Sequence, residues 1–313
     1  MAVIRTEVYG GRAVCSFHEK AHTYHFRVPG VVEKCWQPSV TGILAMKAKP
    51  ALIGWAAKES LSVVRRLLGE FQSQYGETAA VSASMIEGWL NDAEENWRDE
   101  DKSTTIGTVA HRYAYEELRF RAGLTPTKPR YPIEANAVLM PDFTPAMLEA
   151  ANSSASQVVK LFDEHRIEPF LMERPLWSPT EGYCGTPDGV GLFDGELSVW
   201  DYKTSKRIYA EYWGQLAALQ NMYEEEFPEQ KIKKRVAINI PKDGGDLQVE
   251  IRNHDERYHA DLAFFRALKT AYGWNRANDD FSAGNPIQIL GPLSETRPAQ
   301  REKNIVADDC PFA

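Results

Sequence analysis

Residues Tyr183 to Lys203 constrain the fold of this chain more than any other stretch. Tyr183–Phe193 and Leu197–Lys203 carry strand-type side chains and are joined by the turn-forming Asp194-Gly195-Glu196, so the stretch predicts a β-hairpin. Side chains alternate across a strand, which places Val199, Asp201 and Lys203 on one face and Trp200 and Tyr202 on the other. A carboxylate and an ammonium two residues apart at a strand end are costly to bury without purpose. Asp188, on the preceding strand, is expected to reach the same face across the hairpin. Two carboxylates and a lysine then converge.

Around this hairpin, helical and strand signals segregate. The first 40 residues read as β-rich, with a hairpin formed by Arg12–Phe17 and Thr23–Val28. Pro38-Ser39 opens a helical stretch, Pro50 suits a first helical position ahead of Ala51–Leu68, and Ala79–Trp97 reads as a further helix. Thr104-Thr105 can cap a helix over Gly107–Phe120, and another follows the Pro-rich Thr125–Pro132 over Pro145–His165. Phe170–Trp177 predicts a strand, Glu211–Phe227 a helix, and Arg235–Ile240 with Leu247–Ile251 a second hairpin through Asp243-Gly244-Gly245. Asp255 can cap a last helix reaching Tyr272. The expectation is an α/β chain: a mixed central sheet flanked by helices, with a mostly helical N-terminal elaboration. One domain is expected over 1–278, with 1–100 the N-terminal hairpin and helices and 101–278 the core, followed by a flexible tail at 279–313 rich in Pro, Gly, Asn, Asp and charge.

Bulk properties narrow the function classes. A net charge of −8 argues against coating nucleic acid by overall electrostatics, yet allows one local basic groove. Cys15, Cys35, Cys184 and Cys310 are scattered without a C-x-x-C, which disfavours zinc, an iron–sulfur cluster or a disulfide framework and predicts reduced, packed thiols. No apolar run long enough to span a membrane exists and the first residues lack a leader's apolar core, so a cytoplasmic protein is expected. His18, His22 and His25 have helical metal spacing but fall in a predicted hairpin, where the three would not share one face. For DNA phosphates the candidates are Lys231, Lys233, Lys234 and Arg235, or Lys47, Lys49, Lys58, Arg65 and Arg66. Of Trp55, Trp177, Trp200 and Trp213, most are expected in the core rather than stacked on bases.

Chemically, carboxylates beside a lysine suit phosphodiester hydrolysis. Hard oxygen ligands fit one or two Mg²⁺ or Mn²⁺ ions, and an adjacent ammonium can orient or deprotonate water and offset developing charge. Pro187-Asp188, followed about a dozen residues later by Asp201-Tyr202-Lys203, resembles the PD-(D/E)XK nuclease superfamily. Gly107-Thr108-Val109-Ala110-His111-Arg112 looks like the G-T-x-x-H helix of its RecB-like branch, and Glu173 matches the acidic residue that precedes the core strands. Tyr212-Trp213-Gly214-Gln215-Leu216-Ala217-Ala218-Leu219 resembles the following Q-x-x-x-Y helix. Pro38–Leu44 and Lys49–Ala57 look like the N-terminal region of phage-encoded exonucleases of this branch, so the likeness covers residues 38–225.

The resemblance implies a restriction-endonuclease-like fold in which Asp188, Asp201 and His111 hold the metal and Lys203 serves water and phosphate. Glu173 supports the site and Gln215 orients substrate or lysine. The implied activity is a metal-dependent exonuclease on DNA ends, in phage recombination, repair or degradation. The alternatives are a structure-specific, resolvase-like endonuclease and a non-catalytic DNA-binding or assembly module of the same fold. A homo-oligomer is compatible with either. Leu219 departs from the pattern by replacing the tyrosine; Tyr223, one turn further on, is the better substitute and Tyr212 the poorer. Glu116 and Glu117 are expected in solvent.

Asp308-Asp309-Cys310-Pro311-Phe312 resembles the acidic tip of bacterial single-stranded-DNA-binding proteins, although Ala313 displaces the terminal carboxylate. This implies docking onto a replication or recombination protein. Deleting residues 308–313 is then expected to reduce recovery of host replication proteins in a pull-down, and unchanged recovery would remove the idea.

Overall fold

The chain begins with four short strands: β1 (Val3–Val8), β2 (Ala13–His18), β3 (Thr23–Val28) and β4 (Val32–Gln37), each antiparallel to the next. These come from a computed structural model, which describes residues 3–18, 21, 23–30, 32–47, 50–76, 80–99, 102–133, 144–241, 245–278 and 289–293. Strict alternation in β2 and β3 buries Cys15, Phe17, Tyr24 and Phe26 on one face, with Phe26 stacked on Trp177 at 4.5 Å between ring centres. The expected hairpin is therefore the middle of a four-stranded meander. β1 and β4 carry charged residues through their length, which blurs the period-2 signal.

Ser39 caps the short α1 (Val40–Leu44), accepting the Gly42 N–H at 3.0 Å. Then α2 (Pro50–Tyr75) and α3 (Ala83–Asp99) form a compact unit of their own over Lys47–Thr105, where Phe71 meets Trp89 at 6.1 Å. The other unit joins Met1–Met46 to Ile106–Ala313. Hence the N-terminal strands belong with the core and not with the helices that follow them, a different division from the expected 1–100 and 101–278.

α4 (Lys102–Arg121) and α5 (Pro145–Glu164) precede the central strands. Thr104 and Thr105 lie inside α4 rather than capping it, whereas Thr144 does cap α5 through the Met147 N–H at 3.3 Å. The strands are β5 (Ile167–Met172), β6 (Leu176–Ser178), β7 (Tyr183–Gly185), β8 (Gly189–Phe193) and β9 (Glu196–Lys203), followed by α6 (Ala210–Glu226), β10 (Lys234–Asn239), β11 (Gln248–Asn253) and α7 (Tyr258–Asn278). Two predicted strands are each split in two. Glu173-Arg174-Pro175 separates β5 from β6, and Thr186-Pro187-Asp188 separates β7 from β8; proline, lacking an N–H, ends ladder pairing in both. α7 starts three residues beyond Asp255 and runs past Tyr272 to Asn278.

The five-stranded sheet runs β11-β10-β9-β8-β5, and β6 pairs with β7 alone. β9 and β10 are parallel, bridged by α6, and the other pairs are antiparallel, so the protein is mixed α/β. One face of the sheet (Val190, Val199, Ala237) packs against α6 and α7 through Leu216, Met222 and Phe265. The other (Trp200, Tyr202, Val236, Ile238) packs against α4 and α5 through Tyr113, Leu118, Val158 and Leu161. The alternation expected of β9 is thus realised, with both faces covered.

Of the expected flexible tail, residues 289–293 are instead held: Leu290 N–H donates to the Pro179 carbonyl at 2.9 Å, and Arg12 donates to the Leu293 carbonyl at 3.0 Å. Residues 279–288 and 294–313, including the acidic tip and Cys310, lie outside the described residues, as do Lys49 and the side chains of Trp55 and Lys58. Cys15, Cys35 and Cys184 are free and buried. No described helix is long and apolar enough to cross a membrane.

Two glycines give opposite tests of this packing. A Cβ at Gly191 would stand 2.1 Å from the Glu168 carbonyl oxygen, a backbone atom that cannot step aside. Gly191→Ala is expected to destabilise by about 3 kcal/mol or more in urea unfolding. Gly69, inside α2 with open space around it, is expected to gain up to about 1 kcal/mol as alanine.

Candidate active site

The β8–β9 register sets the centre of the site. Gly189 pairs with Trp200, so Asp188, one residue earlier, stands opposite Asp201 as the ladder opens. Asp188 accepts the Tyr202 backbone N–H. A Cβ at Gly189 would meet the Trp200 indole at 2.1 Å, so only glycine allows that ring to cover the strand behind Asp188. Asp201 is buried, contacts the Lys203 ammonium with one carboxylate oxygen, and accepts Gln215 Nε2–H at 2.8 Å with the other. Gln215 comes from the second turn of α6, which lies over the Val199 face of β9.

α4 supplies the next group. A Cβ at Gly107 would sit 2.8 Å from Thr204 Oγ1, so the glycine permits close approach of the helix to the end of β9. One turn later His111 Nδ1 stands 3.7 Å from Asp188 Oδ1, an ion-pair separation longer than a hydrogen bond, and its ring meets Tyr202 edge-on at 5.9 Å.

Glu173 arrives from the break between β5 and β6 with a positive φ of 46°. The turn is pinned by its neighbour. Arg174 donates to both carboxylate oxygens of Glu226 at 3.1 and 2.6 Å and to the Glu7 carbonyl at 2.9 Å, while Glu226 also accepts the Tyr9 N–H at 2.7 Å. Both side chains of this ion pair are almost wholly buried, and its bidentate geometry with the extra hydrogen bond offsets the desolvation cost.

The electrostatics follow from burial and crowding. Burial, then the charge of Asp188, pushes the Glu173 carboxyl up to about 7. Asp201 rises to about 6 because burial, with repulsion from Asp188, outweighs Lys203. For Asp188 burial acts in the same direction, but His111 and Lys203 overcome it and hold the group below the ordinary carboxylate range. Burial disfavours the Lys203 ammonium, yet Asp201 and Asp188 more than compensate and hold it protonated. His111 likewise rises against burial under the pull of Asp188.

All the sequence-predicted site residues (His111, Glu173, Asp188, Asp201, Lys203 and Gln215) therefore meet at one end of β8 and β9. Glu173 accepts no hydrogen bond from a described residue, and burial is the chief reason that it and Asp201 hold a proton more tightly than ordinary carboxyls. Clustered carboxyl oxygens are hard donors of the kind that a divalent cation such as Mg²⁺ or Mn²⁺ takes. Among the described residues no group of three or more His, Cys, Asp or Glu side chains is placed to hold a metal ion; the carboxylates of Asp188 and Asp201, with His111 3.7 Å from Asp188, are the groups that could supply part of a shell completed by water.

Several expectations are corrected. The aromatic group beside the lysine is Tyr212, whose ring centre is 5.0 Å from Lys203 Nζ. Tyr223 is buried, hydrogen-bonded to Gln230 and packed on Phe227 at 4.9 Å, because two further turns of α6 carry it away from the strand end. Leu219 is core. Glu117 is buried against Arg121 at 2.7 Å rather than solvated, while Glu116 is half-exposed, as expected of a solvated side chain, and paired with Arg112. In the basic cluster Lys231 faces Glu224 and Lys234 faces Glu196, and Arg235 is fully buried on Gln220 and Asp261, which leaves little of it for phosphates. Arg66 is paired with Glu70. His18 and His25 are diagonal neighbours of β2 and β3 with rings 5.1 Å apart; His22 lies outside the described residues, and with it the expectation for all three. Trp177, Trp200 and Trp213 are core, in line with the expectation for most of the tryptophans. Arg174 and Glu226 were not picked out by sequence reasoning, although Arg174 adjoins Glu173, and Tyr212 was ranked below Tyr223 although it precedes Gln215 by one turn.

No family model matches this chain, and no curated protein matches it significantly.

Glu173 offers a test of the site's charge balance. Its folded value of about 7 exceeds the ordinary 4.5, so folding takes up a proton between those values and stability falls as pH rises through that window. In metal-free protein Glu173→Gln is expected to match the parent near pH 4 and to exceed its stability by up to about 3 kcal/mol above pH 7. Thermal melting in EDTA across this range checks it, and a pH-independent difference would refute it.

Proposed function

We propose that this protein is a divalent-metal-dependent DNA nuclease with a restriction-endonuclease-like core. The observation that carries the reading is the convergence of Asp188, Asp201 and Lys203 at the open end of β8 and β9, with His111, Glu173 and Gln215 arriving from three other elements. The resemblance of these motifs, in this order, to RecB-like PD-(D/E)XK exonucleases supports DNA ends as the substrate and phage recombination, repair or degradation as the setting.

In this reading Asp188 and Asp201, assisted by His111, hold Mg²⁺ or Mn²⁺, which when bound polarises the scissile phosphate and acidifies water. The residues of the chain do the rest. Lys203, kept as an ammonium by Asp201, orients the attacking water by hydrogen bonding and offsets charge growing on the phosphate oxygens. Glu173 has a proton affinity suited to accepting the water's proton near neutral pH. Gln215 keeps the Asp201 carboxylate turned toward the strand end. Water oxygen bonds to phosphorus, the bond to the leaving oxygen breaks, and that oxygen takes up a proton.

Asp201→Ala and Lys203→Ala are each expected to reduce hydrolysis of linear duplex DNA in Mg²⁺ or Mn²⁺ by about 100-fold or more. Full activity in both variants would refute the site. Closed circular duplex is expected to resist, and its cleavage would replace the exonuclease reading with an endonuclease.

A further inference from the structure

Beyond β9 the chain continues as Thr204-Ser205-Lys206-Arg207-Ile208-Tyr209 before α6 begins. This loop is anchored: Ser205 donates its N–H and its hydroxyl to the buried Asn239 side chain, both at 3.0 Å, and its hydroxyl lies 2.7 Å from the Arg207 carbonyl. Two aromatic rings bridge the cations at its ends. Lys203 Nζ lies 5.0 Å from the centre of the Tyr212 ring, Tyr212 meets Tyr209 edge-on at 5.7 Å, and the Arg207 guanidinium lies over Tyr209 at 5.2 Å. A continuous ladder therefore runs from the candidate catalytic lysine to an exposed arginine. Lys206 and Arg207 are both exposed, and neither forms an ion pair with a described residue. That contrasts with Lys231, Lys234 and Arg235, whose charges are taken up by Glu224, Glu196 and Asp261.

We propose that the Lys206–Arg207 loop is the nucleic-acid backbone subsite of this protein, gripping phosphates of the strand whose scissile bond lies at Lys203. The inference rests on the nuclease reading above and adds to it where the strand is held. Arg207 is four residues from Lys203, a span of at most about 14 Å, and successive phosphates of a duplex strand advance about 3.4 Å along the axis, so the gripped phosphates lie within about four nucleotides of the cut. In a chain of net charge −8, two exposed cations without an ion-pair partner among the described residues supply, on a fixed loop, the local attraction that the whole molecule lacks. Tyr209 and Tyr212 hold Arg207 and Lys203 in line, so little freedom is lost when phosphate binds.

The test is fluorescence-anisotropy binding of a labelled DNA duplex in Ca²⁺ at several KCl concentrations. It compares the parent with the double variant Lys206→Gln/Arg207→Gln and with Lys233→Gln. Lys233 is an exposed cation about 20 Å along β10 from the position paired with Lys203. The double variant is expected to bind about tenfold more weakly at low salt, with the slope of log K on log salt reduced by about 2, while Lys233→Gln changes neither. Because Lys206 and Arg207 are exposed, the melting temperature is expected to stay that of the parent, and circular dichroism confirms the fold. Unchanged affinity and slope in the double variant, or equal weakening by Lys233→Gln, overturns the subsite and leaves the nuclease reading standing. Failure of the parent to bind DNA overturns both.

Discussion

The pairing of Gly189 with Trp200 decides more about this molecule than any other contact. It places Asp188 opposite Asp201 and leaves Lys203 at the strand's end, on the side that α6 covers. A slip of one residue would turn Asp201 into the α4–α5 core and bring Trp200 out among the charges. Both faces of the sheet are packed, so the slipped state would bury a lone carboxylate and lose the core contacts of a tryptophan. The site and the core thus enforce the same register.

α6 ties this arrangement together. Nearly every residue along its middle is buried, and the helix shows little amphipathic contrast, as befits one covered on several sides. Its polar side chains are assigned to particular partners. Gln215 near its start meets Asp201, Gln220 at its middle meets Arg235, and Glu226 at its end meets Arg174. The last of these holds the β5–β6 break in which Glu173 adopts its positive φ, so one rigid helix braces two carboxyls that approach the site from different strands. A buried ion pair is a weak source of net stability, but removing one partner leaves an unpaired charge, which makes the pair an effective positional constraint.

Much of the local architecture was legible in the chain. Period-2 runs mark β2 and β3, the apolar run of β10 marks a strand covered on both faces, and the longer helices follow from their apolar spacing, because these patterns reflect burial on one or both faces. β1 and β4 were not legible, since polar side chains on a small sheet dilute the alternation. The breaks at Pro175 and Pro187 were readable in principle, but a proline shows only that pairing stops, not that the chain resumes in another sheet. The helical pattern of α2 and α3 does not reveal that Lys47–Thr105 separates from the strands before it, because unit boundaries depend on which surfaces bury one another.

At the site, the sequence by itself determined the chemical inventory: Asp188, Asp201 and Lys203 at hairpin spacing, with His111, Glu173 and Gln215 on neighbouring elements. Strand periodicity and turn residues specify a hairpin locally, and that is enough to bring the first three to one strand end. Only the tertiary structure decided that Tyr212 rather than Tyr223 stands beside the lysine, that Glu117, Lys231, Lys234 and Arg235 are spent on ion pairs and core contacts, and that Arg174 and Glu226 fix the turn bearing Glu173. Those outcomes depend on where α6 begins against the end of β9 and on which charges packing brings within a few ångströms. No short-range pattern encodes such distances, because they are set by the closure of the whole fold.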